Sequence, residues 1–249
     1  MGAKKAALYV DGFNFYYGVR NHYKTGQQSR GYSLSGLCWC DFRALAERHY
    51  LKSGHDLGPI RYFTAPVTER VETTLEEHER YELWLRAVQT IPGLEVVHGF
   101  HRKGVNGRQR EEKESDVNLA VELLLDGMSG AYDHAIVLSG DADQIPAILG
   151  AMLRLPQPRC VTAVLPPSQD KEDWKKHYCN LAMQLKDRGV LRHQQQFGQI
   201  EVTTLDEGIL ANSLLRYELD GVAAPDYWRV PRHYLEKHCR TEHRPDQRV

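Results

Sequence analysis

The sequence contains no C-x-x-C pair, no H-E-x-x-H array, no glycine-rich phosphate loop and no G-x-S-x-G turn. Zinc ribbons and zincins, mononucleotide and dinucleotide folds of the usual kind, and serine hydrolases are set aside on those grounds. No apolar run approaches the ~18 residues that span a bilayer, so no membrane role is expected. Ala6–Val10 is too short for a signal peptide, and Asp11 ends it. The five cysteines, Cys38, Cys40, Cys160, Cys179 and Cys239, are odd in number. Cys38 and Cys40 flank Trp39 too closely for an ordinary bridge. A disulfide framework is not expected, and a reducing cytoplasm is the simplest home. Net charge of one sign is also missing: the formal balance is −1. No global field draws the chain to nucleic acid, so any such affinity must come from local basic patches.

What is present is an alternation. The 249 residues suffice for one α/β domain with an appendage. Short apolar runs bounded by Gly, Pro, Asp or Ser predict strands at Ala6–Val10, Ile60–Ala65, Leu94–Gly99, His134–Ser139 and Val161–Leu165. Between them lie helical patterns. In Glu69–Gln89, Val71, Thr74, His78, Tyr81, Leu85 and Val88 share one face. Ser115–Asp126 is apolar nearly all round and reads as a buried helix, with Ser115 as its cap. Ala142–Leu153 is a further helix. Lys24–Gly36 and Arg102–Arg110 read as loops. Strand–helix repeats predict a mostly parallel sheet with helices on both faces. Residues 1–216 form the expected domain. Residues 217–249, with three prolines and aromatics Tyr227, Trp228 and Tyr234, form a tail that packs on it or on an oligomer partner.

In such sheets ligands bind beyond the carboxyl ends of the strands. Asp11 ends the first strand in VDGFN. Asp141 and Asp143 follow the fourth in LSGDAD. Asp116 opens the apolar helix in KESDVNLAVE. An aspartate after a strand is commonly just a cap or turn residue. All four in one cleft would repel one another unless a divalent cation compensates them. Oxygen donors without His or Cys point to Mg²⁺ or Mn²⁺, and hence to chemistry on phosphate esters.

VDGFNFYYG, KESDVNLAVELLLDG and IVLSGDADQIPAI resemble, in order and spacing, three blocks of NYN-domain proteins, the LabA/DUF88-like branch of the PIN-like nucleases. The resemblance runs from about Ala6 to Leu191. It implies a Rossmann-like PIN/NYN fold, a Mg²⁺ or Mn²⁺ site on Asp11, Asp116, Asp141 and Asp143, and commonly cleavage of RNA in preference to DNA. Asn14 matches the motif asparagine, which orients Asp11 or meets the substrate. The chain departs from the family in Ala142 and Gln144, where Ser and Phe are frequent, and in Glu122, where Asp is common.

Ser139 is a candidate substrate contact or a support for the metal ligands. Arg102, Lys103, Arg108, Arg110 and Lys113 lead into the Asp116 helix and are candidates for phosphate contacts; Glu111, Glu112 and Glu114 equally suit a solvated charge run. Phe13, Phe15, Tyr16 and Tyr17 suit core packing better than base stacking. The expected activity is an endoribonuclease hydrolysing phosphodiesters. The alternatives are an RNA- or protein-binding NYN module with little catalysis, and an aspartyl phosphotransferase, which position 13 disfavours by being Phe. Homo-oligomerisation is left open.

Overall fold

The computed structural model describes residues 3–25, 32–65, 75–103, 110–167, 169–193, 199–219 and 222–245. Its centre is a six-stranded, all-parallel sheet. The strands are β1 (Lys4–Asp11), β2 (His55–Thr64), β3 (Leu94–His98), β6 (His134–Leu138), β7 (Cys160–Leu165) and β8 (Glu201–Thr204). They lie in the order β3-β2-β1-β6-β7-β8. Between β2 and β3 runs α3 (Leu75–Gln89), and between β7 and β8 runs α6 (Lys171–Asp187). The strand order reverses direction between β1 and β6, the switch point of a doubly wound sheet.

β1 explains the two-layered core. Its side chains alternate, and both faces of the sheet are covered, so from Ala6 to Val10 the strand is apolar on both sides rather than amphipathic. Leu8 and Val10 join one buried cluster with Phe15, Tyr16, Trp84 and Trp228. Ala7 and Tyr9 join the other with Leu119, Leu123, Ile148 and Trp174. The first face is covered by α1 (Gly12–Thr25), α3 and the C-terminal segment. That segment includes α7 (Glu207–Ala211) and α8 (Arg232–His238). The second face is covered by α4 (Ser115–Ser129), α5 (Ile145–Leu149, continued by a π turn over Gly150–Arg154) and α6. The short α2 (Phe42–Leu45) is capped by Asp41, whose carboxylate accepts the Ala44 N–H. No helix of the described residues is long and apolar enough to cross a membrane.

The C-terminal segment packs against its own chain. Trp228 is 1% exposed, and its ring meets Trp39, Trp84 and Tyr16. Val230, Tyr234 and Leu235 are buried in the same cluster.

Four expectations are corrected. Arg102–Arg110 is not simply a loop: β4 (Phe100–Lys103) and β5 (Arg110–Lys113) pair antiparallel, setting Arg102 opposite Glu111 and His101 opposite Glu112. The segment has no apolar alternation to announce a hairpin, and backbone pairing rather than periodicity makes it one. β8 went unpredicted because Glu-Val-Thr-Thr is short and polar; pairing to β7 makes it a strand. Ser115 does not cap α4. It is the first helical residue, and Glu114 holds the capping position at φ 79° without a side-chain cap bond. Finally, α4 is not buried all round. Leu119, Leu123 and Gly127 face the sheet, whereas Val117, Val121, Leu125 and Met128 are 61%, 46%, 53% and 64% exposed. A helix in an outer layer has only one face against the sheet. Val71 and Thr74, placed on the α3 face by sequence, lie outside the described residues. Tyr81, Leu85 and Val88 are buried there, as is Trp84.

Candidate active site

The β1–β6 pairing runs to Val10 opposite Leu138, so the residues that follow each strand emerge side by side. Asp11, 7% exposed, ends β1. Its Oδ1 accepts the backbone N–H of Asn14 at 3.1 Å, within the first turn of α1. Its Oδ2 accepts the Ser139 hydroxyl at 2.8 Å. Ser139 is itself buried, and its Oγ accepts the Asp141 N–H at 3.0 Å. Asn14, in the first turn of α1, closes the frame: its Oδ1 accepts the Gly140 N–H at 2.7 Å. Two side chains therefore tie the end of β1 to the loop after β6.

Glycine is required at the hinge of this frame. A Cβ on Gly12 would lie 2.5 Å from the buried Tyr62 ring and 2.7 Å from the Phe63 carbonyl oxygen. Tyr62 also donates its hydroxyl to the Gly12 carbonyl at 3.2 Å. The chain can turn from β1 directly into α1 because nothing projects there.

The Asp-Ala-Asp segment forms a short 3-10 turn. Asp141 caps it, accepting the Asp143 N–H at 2.9 Å. Asp141 is half-buried and Asp143 is exposed. Asp116, in the first turn of α4, also keeps an open face to solvent. Its carboxyl is nonetheless pushed above the ordinary value, first by partial loss of hydration and then by the Asp141 and Asp143 carboxylates. These three acids thus act on one another, while Asp11 reaches them through Ser139.

Among the described residues, no Lys or Arg forms an ion pair with Asp116, Asp141 or Asp143. Nor do any three His, Cys, Asp or Glu groups close into a metal cage. The donor set still fits a hard divalent cation of the magnesium kind, which keeps several waters and needs only one or two carboxylates. It does not fit a zinc cage, which wants a closed tetrahedron with His or Cys.

Ser139, nominated as a substrate contact, stands behind the carboxylates and is occupied with holding them. Asn14 braces the Gly140 loop. Arg102 and Lys103 lie on β4 and Arg110 and Lys113 on β5, with their side chains outside what the structure describes; Arg108 lies outside the described residues. Glu122 turns away to Arg61, 3.8 Å from its guanidinium, which also holds Asp126 and Glu95. Phe15 and Tyr16 are buried, whereas Phe13 and Tyr17 are partly open and stack on each other.

Sequence reading missed the part played by Gln144. It is 1% exposed, and its Nε2 donates to the Asp116 carbonyl at 3.2 Å, tying α4 to the Asp-Ala-Asp turn. Among the described residues its Oε1 has no hydrogen-bond partner. The only signal was Gln where Phe is frequent.

The family model described as NYN domain matches residues 5–155. A Pseudomonas putida protein named 6-hydroxy-3-succinoylpyridine 3-monooxygenase HspA is similar, 25% identical over 224 residues, covering 71% of this chain and 67% of that protein. A solved structure of a Vibrio parahaemolyticus protein of unknown function is similar at a TM-score of 0.45 and 14% identity, over 82% of this chain and 94% of that one.

Proposed function

The chain belongs to the NYN domain family, of the PIN-like nuclease superfamily, and on that premise we propose that it is a divalent-metal-dependent phosphodiesterase, an endoribonuclease acting on RNA in preference to DNA. The observation that supports this reading most is the uncompensated acidic set at the switch point. Asp116, Asp141 and Asp143 raise one another's negative potential without a basic partner among the described residues. Asp11 is linked to the same loop through Ser139, whose Oγ also accepts the Asp141 N–H. Such an arrangement is costly in the free protein and is relieved by a cation.

Asp11, Asp116, Asp141 and Asp143 would hold Mg²⁺ or Mn²⁺, which supplies charge stabilisation at phosphate oxygens and a more acidic water. The chain's own contribution is positioning. Ser139 and Asn14 fix Asp11 and the loop after β6 before substrate arrives. Asp141 and Asp143 face solvent, where a phosphate with its cation can approach. The β4–β5 hairpin carries Arg102, Lys103, Arg110 and Lys113 immediately ahead of α4, suited to holding the backbone of the nucleic acid. The five free cysteines suit the cytoplasm as its place of work.

The test is cleavage of an unstructured RNA and the matching DNA across a Mg²⁺ and Mn²⁺ series, with Asp141→Asn alongside. Loss of a carboxylate ligand should lower the rate by about 100-fold or more, as for removal of a preorganised charge-stabilising group. Equal cleavage by the variant and the parent sinks the nuclease reading.

A second reading comes from the Pseudomonas putida relative, whose name is that of a monooxygenase for a hydroxylated pyridine. On that reading the same cleft takes a small aromatic substrate. Oxygen consumption on 6-hydroxy-3-succinoylpyridine with a two-electron reductant would favour it over RNA cleavage.

A further inference from the structure

The exposed side of α4 is a continuous apolar row. Val117, Val121, Leu124 and Met128 follow one another at steps of four, three and four residues, and Leu125 lies beside them. Leu124 is partly buried and the other four stand open. Single exposed apolar side chains are ordinary; a contiguous row is not. The 4-3-4 spacing is that of a helix seam made to meet another helix. The row is about 17 Å long, eleven steps at ~1.5 Å.

The two ends of the row differ in charge. At the N-terminal end stand Glu114 and Asp116, both exposed. At the C-terminal end the row runs into a groove of about 440 Å³ lined by Leu124, Met128, Leu155 and Val190, with Arg154 and Arg192 on it. Both arginines are exposed, and neither makes an ion pair among the described residues.

From this we infer that α4 is the contact through which two copies of this chain pair, antiparallel about a two-fold axis. The surface is self-complementary in that orientation. Each acidic end meets the arginine-lined end of the other copy, and the helix dipoles oppose. A parallel pairing would set arginines against arginines. Five apolar side chains are far fewer than the ~20–30 residues a side of a standard interface, so a reversible, micromolar dimer is expected. The pairing also brings Arg154 and Arg192 of the partner subunit to the end of α4 that carries Asp116. The inference does not rest on the nuclease reading but bears on it, because it sets arginines of a second copy near Asp116, which that reading leaves without a basic partner among the described residues of its own chain; sedimentation tests the one and cleavage the other.

Sedimentation of the full chain from low to high micromolar concentration tests it. The wild type should pass from monomer to dimer. Val121→Glu with Leu125→Glu should stay monomeric, with an unchanged circular dichroism spectrum because both positions are exposed. Should that pair disturb folding, the surface pair Arg154→Glu with Arg192→Glu takes its place. It should weaken association at least tenfold, and adding Glu114→Lys should restore most of it. A wild type that stays monomeric throughout overturns the inference. So does a dimer indifferent to the arginine reversals, whether the groove then serves another protein or none.

Discussion

Ser139→Ala isolates the frame that holds the acidic site. The Ser139 Oγ donates to Asp11 Oδ2 at 2.8 Å and accepts the Asp141 N–H at 3.0 Å, in a residue 3% exposed. The first bond is to a carboxylate, worth about 1.5–3 kcal/mol, and the second is a neutral bond worth about 0.5–1.5 kcal/mol. Asp141 is half-buried, so water can replace part of what its amide loses. Asp11 is 7% exposed and has less recourse to water. The net loss should be about 2–3 kcal/mol, which for a chain of this size lowers Tm by roughly 4–12 °C. Thermal unfolding followed by circular dichroism, without added metal, reads that number. Cleavage should fall by about 10–100-fold, the effect of removing a group that orients a ligand rather than the ligand itself. A variant that melts within ~1 °C of wild type would refute the claim that these bonds carry free energy. A stability loss with full cleavage would leave Ser139 a structural residue only.

Three further outcomes follow from single contacts. Gly12→Ala should cost about 1–3 kcal/mol, because the Tyr62 ring it strikes is fully buried and the Phe63 carbonyl belongs to the sheet; urea unfolding measures it, and a neutral result would mean that α1 can shift freely. His134 is held at about 4 by burial first, then by Lys52 and His55, against an ordinary 6.5. It is neutral when folded, so as pH falls the unfolded chain takes up the proton first. Stability is full above about pH 6.5 and declines toward pH 4 by about 3 kcal/mol at most. Urea midpoints across that range should show the slope, and His134→Gln should flatten it. Trp228→Ala should cost about 3–5 kcal/mol through the cavity left among Trp39, Trp84 and Tyr16; limited proteolysis of the C-terminal segment should quicken in step, and unchanged protection would show that the segment is anchored elsewhere.

The sequence by itself determined most of the sheet. Ala6–Val10, Ile60–Ala65 and His134–Ser139 are apolar because strands covered on both faces need no polar side, and that pattern is local. It also set Asp11 and Asp141 at strand ends, where the parallel topology opens a crevice. Only the tertiary structure decided how those ends are joined. The Ser139 and Asn14 bonds span more than a hundred residues, and no local spacing encodes them. Gln144 likewise acquires its place from where α4 arrives. β8 and the β4–β5 hairpin are polar and exist through their pairing partners rather than through periodicity. The apolar side of α4 shows the limit most plainly. Composition says that the helix is apolar on every side, but burial depends on what lies opposite, and on that side Val117, Val121, Leu125 and Met128 stay exposed.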